Sequence, residues 1–155
     1  MGIPLYIFDL DGSLALIDHR RPFLDDTLLS SDERWRKFFA ACVDDVPNKP
    51  ILETMWQLNR DSDTWIWSGR SDEVREATLI WLSENIDFCD TDAYPLRMRQ
   101  AGDMRPDVEL KQSWLDEMSS EDRARLVMVF DDRDCVVDMW RRNGITCAQV
   151  ARGDF

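Results

Sequence analysis

Short apolar runs alternate with longer amphipathic stretches along this chain. The runs fall at residues 4–8, 64–67, 93–98, 126–130 and 145–150, each of strand length. A chain that alternates in this way buries its apolar runs as a parallel sheet and covers both faces with the intervening helices.

The helices carry their own punctuation. Over residues 31–43, Trp35, Phe38, Phe39, Cys42 and Val43 recur at helical spacing, and Ser30 with Glu33 predicts a capping box. Asn48 is expected to cap a helix with Pro50 in its first turn, running to about residue 59. Ser71 is expected to cap a third helix with Val74, Ala77, Thr78, Trp81 and Leu82 on one face. A fourth covers about 107–118, and a last one, about 133–143, stops at Gly144. Residues 14–47 break the alternation and read as an insertion over the sheet edge.

Three of the apolar runs end in acids or a hydroxyl. Ile7-Phe8 runs into Asp9 and Asp11, Ile66-Trp67 into Ser68, and Val129-Phe130 into Asp131-Asp132. In an open parallel sheet the carboxyl ends of the strands line the edge where ligands bind, so these groups converge on one crevice. Carboxylates gathered at one edge resist joint ionisation unless a cation sits among them. An oxygen-only ligand set of this kind suits a hard divalent ion, with Mg2+ the natural choice where phosphate is the other ligand.

Charge and cysteine usage narrow the class. The net charge of -12 excludes an extended basic footprint for nucleic acid. Of the cations only Lys37, Lys49 and Lys111 are lysine, which leaves Lys111 alone beyond position 49. Cys42, Cys89, Cys135 and Cys147 show neither C-x-x-C spacing nor close pairing, so a reducing compartment is expected. The start, MGIPLYIFDLDG, has no basic n-region, and no apolar run reaches the ~20 residues of a bilayer span. The expectation is a soluble, untargeted single domain of residues 1–155, cytoplasmic, with no membrane association and no obligate protein partner.

The order Asp9-x-Asp11-Gly12-Ser13, then Ser68-Gly69, then Lys111, then Asp131-Asp132 resembles the four motifs of the haloacid dehalogenase (HAD) superfamily of phosphohydrolases. The closer likeness is to the 3′-phosphatase domain of phage polynucleotide kinase-phosphatases and related stand-alone phage phosphatases. Ser68-Gly69-Arg70, "GDMRPDVELK" at 102–111, "FDDRDCVVDMWRRNG" at 130–144 and the terminal "QVARGDF" carry it. The resemblance implies a Rossmann-like three-layer α/β/α fold on a parallel five-stranded sheet, with a small helical cap, about 14–47, inserted after the first strand. A phage origin would place the protein in the host cytoplasm.

The resemblance also implies a chemistry. Asp9 attacks phosphorus and becomes an aspartyl-phosphate, while Asp11 protonates the leaving oxygen and then activates water. Ser68 donates to a phosphoryl oxygen and Lys111 offsets the charge of substrate and nucleophile. Mg2+ is held by Asp9, the main-chain carbonyl of Asp11 and the Asp131-Asp132 pair, with Asp132 favoured as the direct ligand. Gly12, Ser13, Gly69, Arg70 and Arg20 contact substrate or brace the site, and Asp107 supports from one helical turn before Lys111. His19 reads as a loop residue, because no acid is placed to partner it; the tryptophans and the Trp35, Phe38 and Phe39 stripe read as packing of the core or cap, with base stacking by one of them as the alternative.

The expected substrate is a phosphorylated polynucleotide 3′ end or a nucleotide. A nucleotidase acting on free mononucleotides is the alternative, and a non-catalytic phosphate-binding or interaction module is the reading from another class.

Overall fold

The structure, a computed structural model, describes residues 2–86 and 95–153. Its elements in order are β1 (Leu5–Phe8), β2 (Ala15–Leu16), α1 (Pro22–Asp25), α2 (Ser31–Ala40), a 3-10 turn (Ala41–Asp44), β3 (Val46–Pro47), α3 (Lys49–Leu58), β4 (Asp63–Ser71), a 3-10 turn (Asp72–Val74) and α4 (Arg75–Asn85). After these come β5 (Leu96–Arg99), α5 (Asp107–Asp116), α6 (Ser120–Arg125), β6 (Leu126–Asp131), α7 (Asp134–Arg142) and β7 (Cys147–Gln149).

Among the described residues five strands form one sheet in the order β5-β4-β1-β6-β7, and every pairing in it is parallel. Successive side chains of a strand point to opposite faces, and the core divides accordingly. Phe8 and Ile66 face one side with Leu52, Met55, Trp81 and Leu82 of α3 and α4. Ile7, Trp67 and Val129 face the other with Leu110, Trp114, Val136 and Trp140 of α5 and α7. This is the expected three-layer α/β/α arrangement. Because β1 lies between β4 and β6, the three strands whose ends are polar are neighbours.

The helical cap grows from the loop after β1. Its entry and exit are clamped by a two-stranded antiparallel pair, with Ala15 opposite Pro47 and Leu16 opposite Val46. The capping box at Ser30 and Glu33 is present, and Gly144 adopts φ 76° just past α7.

Several expectations are corrected. The helix over 31–43 ends at Ala40 and tightens into the 3-10 turn, which brings Asp45 back under the cap. The Asn48 side chain makes no capping bond; it donates to the Ser13 carbonyl at 2.8 Å, tying α3 to the turn after β1. Ser71 caps the 3-10 turn before α4, accepting from the Glu73 amide. The strand expected to stop at Trp67 continues to Ser71, because pairing with β5 resumes at Ser71 after a register shift beyond Ser68. The strand over 145–150 is shorter, Cys147–Gln149. That over 93–98 is seen as Leu96–Arg99, with 93–94 outside the described residues. Helix α6 has no apolar face, which is why no period announced it. Among the described residues no helix is long and apolar enough to cross a membrane.

Candidate active site

The floor of the site is built by three acids and one lysine. Asp9 leaves the end of β1, and Asp131 and Asp132 leave the end of the adjacent β6. One carboxylate oxygen from each lies within 4.8 Å of the others, and all three residues are buried. Lys111 sits on the core-facing side of α5 with Leu110, Trp114 and Leu115, which carries its chain inward. Its Nζ donates to Asp9 Oδ1 at 2.5 Å and to Asp131 Oδ2 at 2.7 Å. Burial alone would lower the lysine's proton affinity, but Asp131 and Asp9 outweigh it and hold the ammonium charged.

One lysine does not balance three carboxylates. Burial pushes Asp9 up, opposed by Lys111 and aided by Asp131 and Asp132. Burial and then the Asp131 charge push Asp132 up to about 6. This uncompensated negative charge on a compact all-oxygen donor set fits a hard divalent cation. Asp131 already accepts from Lys111 and from the Arg133 amide, the latter at 3.2 Å. Asp132 instead lays its carboxylate over Gly12, where a Cβ would stand 2.1 Å from Oδ2. Gly12 has φ 89°, so neither its backbone conformation nor the space beside it admits another residue.

Asp11 sits apart from that cluster, in a network of arginines. Its Oδ1 accepts from Arg20 Nη2 at 2.5 Å, from Arg70 Nε at 3.1 Å and, in a very short contact, from Arg70 Nη2. Burial would raise this carboxyl, but the guanidinium groups of Arg70 and Arg20 hold it down at about 2. Both arginines are fully buried, and a second acid, Asp45, accounts for that. Asp45 accepts from Arg20 Nε at 2.7 Å and Nη2 at 2.8 Å, and from Arg70 Nη2 at 2.7 Å. Arg70 Nη1 also donates to Thr78 Oγ1, and Trp81 Nε1 donates to the Asp45 carbonyl at 2.8 Å. Core and cap are thus joined through two carboxylates and two guanidiniums.

The third wall comes from the loop before α5. Gly69 lies flat against Asp107, since a Cβ there would stand 2.6 Å from Oδ1. Asp107 in turn accepts from Arg99 Nη2, in a very short contact, and from Arg133 Nη1 at 2.7 Å. Arg99 closes the loop by donating to the carbonyls of Gly69 and Arg105 at 2.8 and 2.6 Å. Ser68 is fully buried, its Oγ accepting from the Arg70 amide at 3.2 Å. Ser13 is buried in the turn after β1.

Above these groups a cleft of about 620 Å³ opens between the cap and the 99–107 loop, with Asp11 and Gly69 at its base. Asp45 and Arg99 were not singled out in the sequence, and Arg133, though inside the 130–144 stretch that carries the family resemblance, was given no role there. His19 also departs from expectation, since its Nε2 lies 3.7 Å from Asp45 Oδ1, an acid that the sequence did not place beside it.

Comparison with known proteins agrees with this fold. The model of the polynucleotide kinase PNKP phosphatase domain matches residues 4–155. A protein named as a putative bifunctional polynucleotide kinase/RNA ligase of Autographa californica nuclear polyhedrosis virus is 30% identical over 133 residues, covering 86% of this chain and 17% of its own. A chain in the solved structure of the Pnkp1/Rnl/Hen1 RNA repair complex is 29% identical with a TM-score of 0.78, over 99% of this chain and 44% of that one. A HAD family enzyme of Bacteroides thetaiotaomicron, solved with magnesium and inorganic phosphate, shares the fold at 15% identity and a TM-score of 0.56, over 99% of this chain and 97% of that one. This chain therefore spans less than half the length of the viral protein and of the RNA repair chain. The matched span and the sheet with its acidic strand ends lead to one assignment: the chain belongs to the polynucleotide kinase PNKP phosphatase domain family, of HAD-type phosphoric monoester hydrolases.

Proposed function

We propose that the protein is a Mg2+-dependent phosphomonoesterase that removes the phosphate from polynucleotide 3′ ends through an aspartyl-phosphate. The observation that carries this reading is the pairing of a buried, lysine-bound Asp9 with a separate, arginine-bound Asp11 at one strand end. Two carboxylates with opposite environments suit two roles, nucleophile and proton carrier.

In the first step an Asp9 oxygen attacks phosphorus and the bond from phosphorus to the leaving oxygen breaks, the leaving oxygen taking a proton. Lys111 offsets the charge that gathers on Asp9 and the phosphoryl oxygens, and Ser68 donates to one of them. Without substrate Asp11 is a carboxylate. A phosphoryl dianion beside it raises its proton affinity, since like charge disfavours the ionised form, and so equips it to supply that proton. In the second step Asp11, a carboxylate again, takes a proton from water as the water oxygen bonds to phosphorus. The Asp9 carboxylate is released with inorganic phosphate.

Asp9 and Asp132, with the Asp11 main-chain carbonyl, would hold the cation, and Asp131 would link it to Lys111. When bound, Mg2+ supplies charge neutralisation at the phosphoryl oxygens. Arg20 and Arg70 hold Asp11, and Gly12, Ser13 and Gly69 leave room for the phosphate.

Turnover of a 3′-phosphorylated oligonucleotide, beside 3′- and 5′-mononucleotides, tests the substrate. Activity on the oligonucleotide that is lost in Asp9→Asn and on chelation of Mg2+ supports the proposal. Hydrolysis of the mononucleotides alone would make the protein a nucleotidase.

A further inference from the structure

The cap wall of the cleft has a chemistry that phosphate transfer does not use. Asp32, Trp35, Arg36 and Phe39 occupy one face of α2, at helical spacing, and all line the cleft. The Trp35 and Phe39 rings are stacked, with centroids 5.6 Å apart and planes 28° from parallel, so Phe39 supports the Trp35 ring from one side. Trp35 is 36% exposed although it lies in a packed cluster. Phe38, which also lines the cleft, meets it edge-on at 5.6 Å and 83°. Phe38 is buried, with the Arg20 guanidinium 4.3 Å from its ring centre. The aromatic surface is thus coupled through Arg20 to Asp11.

We propose that Trp35, backed by Phe39, is the platform on which the base of the substrate's 3′-terminal nucleotide stacks. This rests on the 3′-phosphatase reading above. Asp11 lies at the base of the same cleft, so a phosphate placed there leaves its sugar and base pointing outward along the aromatic wall. The cleft volume, about 620 Å³, is that of a small-ligand pocket and leaves room for a terminal nucleotide. The charge around the cleft favours stacking over phosphate contacts as the source of affinity. Among the described residues five arginines line the cleft, including Arg21 and Arg36 on the cap side, against six acids; Arg105 is paired with Asp103, and Arg99 and Arg133 with Asp107, and the chain as a whole carries -12. Stacking on an aromatic ring needs no basic stripe and tolerates any base.

The test compares two single-stranded 3′-phosphorylated oligonucleotides, one ending in a normal nucleotide and one in an abasic residue, with the wild type, Trp35→Ala and Trp35→Phe. The wild type is expected to show a KM roughly tenfold higher for the abasic end. Trp35→Ala should raise KM for the normal end to the abasic level, and Trp35→Phe should keep most of the discrimination. Equal wild-type KM for the two ends, or undiminished discrimination by Trp35→Ala, overturns the platform while leaving the phosphatase reading in place. A wild type that hydrolyses an aryl phosphate but neither oligonucleotide overturns both.

Discussion

Arg20 and Asp45 form a two-pronged ion pair, Nε to Oδ1 at 2.7 Å and Nη2 to Oδ2 at 2.8 Å, with both side chains fully buried. The pair joins the start of the cap segment to its end, and the same Arg20 nitrogen Nη2 reaches Asp11 at 2.5 Å. Asp45 is therefore a positioning residue for a group it does not touch. Removing one member of a buried pair strands the other charge, at a cost of about 3–5 kcal/mol. Asp45→Ala is expected to lose that much in urea unfolding. Asp45→Asn, which keeps an acceptor, should fold and show a lower kcat with little change in KM. Wild-type kcat in a folded Asp45→Asn would show that Asp11 is oriented without it.

Lys111 answers for two buried acids at once. Lys111→Met should lower kcat by about two to three orders of magnitude, as the loss of a preorganised charge does, and leave Asp9 and Asp131 repelling each other. Mg2+ should then recover more thermal stability in this variant than in the wild type. Lys111→Arg is not expected to rescue activity, because a planar fork does not fit a site shaped for a compact ammonium.

The Asp132 carboxyl, pushed up to about 6 by burial and the Asp131 charge, sets a pH dependence for the metal-free protein. The folded state holds this proton more tightly than the unfolded chain, so stability falls as pH rises from the ordinary carboxylate range through about 6. Asp9 is raised too and acts in the same sense. Asp11, held at about 2, exerts its pH effect below that window. In chelator the protein should be roughly 1 kcal/mol more stable near pH 5 than near pH 7.5, and Mg2+ should close the gap. Asp132→Asn should flatten the profile and stabilise the metal-free fold while abolishing Mg2+-dependent turnover. A metal-free profile that is the same with and without Asp132 would show that this carboxyl does not set it.

Gly12 makes a steric prediction. A Cβ there would stand 2.1 Å from Asp132 Oδ2, on a backbone with φ 89°. Gly12→Ala should displace Asp132 and lower kcat by roughly a hundredfold, the scale of a misplaced catalytic group, with a smaller fall in Tm. Activity near wild type would mean that Asp132 has freedom to move away without consequence.

The alternation of strands and helices, the polar strand ends and the lone late lysine are all properties of the chain before it folds. These are legible because period and punctuation are local, and because a parallel sheet brings all its carboxyl ends to one edge whatever the loops do. The strand order then put β1 between β4 and β6, which gathered Asp9, Ser68, Asp131 and Asp132. Asp45 and the roles of Arg99 and Arg133 were not legible, because an acid or arginine reads the same whether it ends in water or in an ion pair. It took the return of the cap segment, clamped by β2 and β3, to bring Asp45 to Arg20 and Arg70. The same closure turned the Trp35 and Phe39 face, whose spacing read first as packing with base stacking as the alternative, toward the cleft above Asp11. Spacing fixes which side chains share a helix face; what that face meets depends on tertiary contacts made far along the chain.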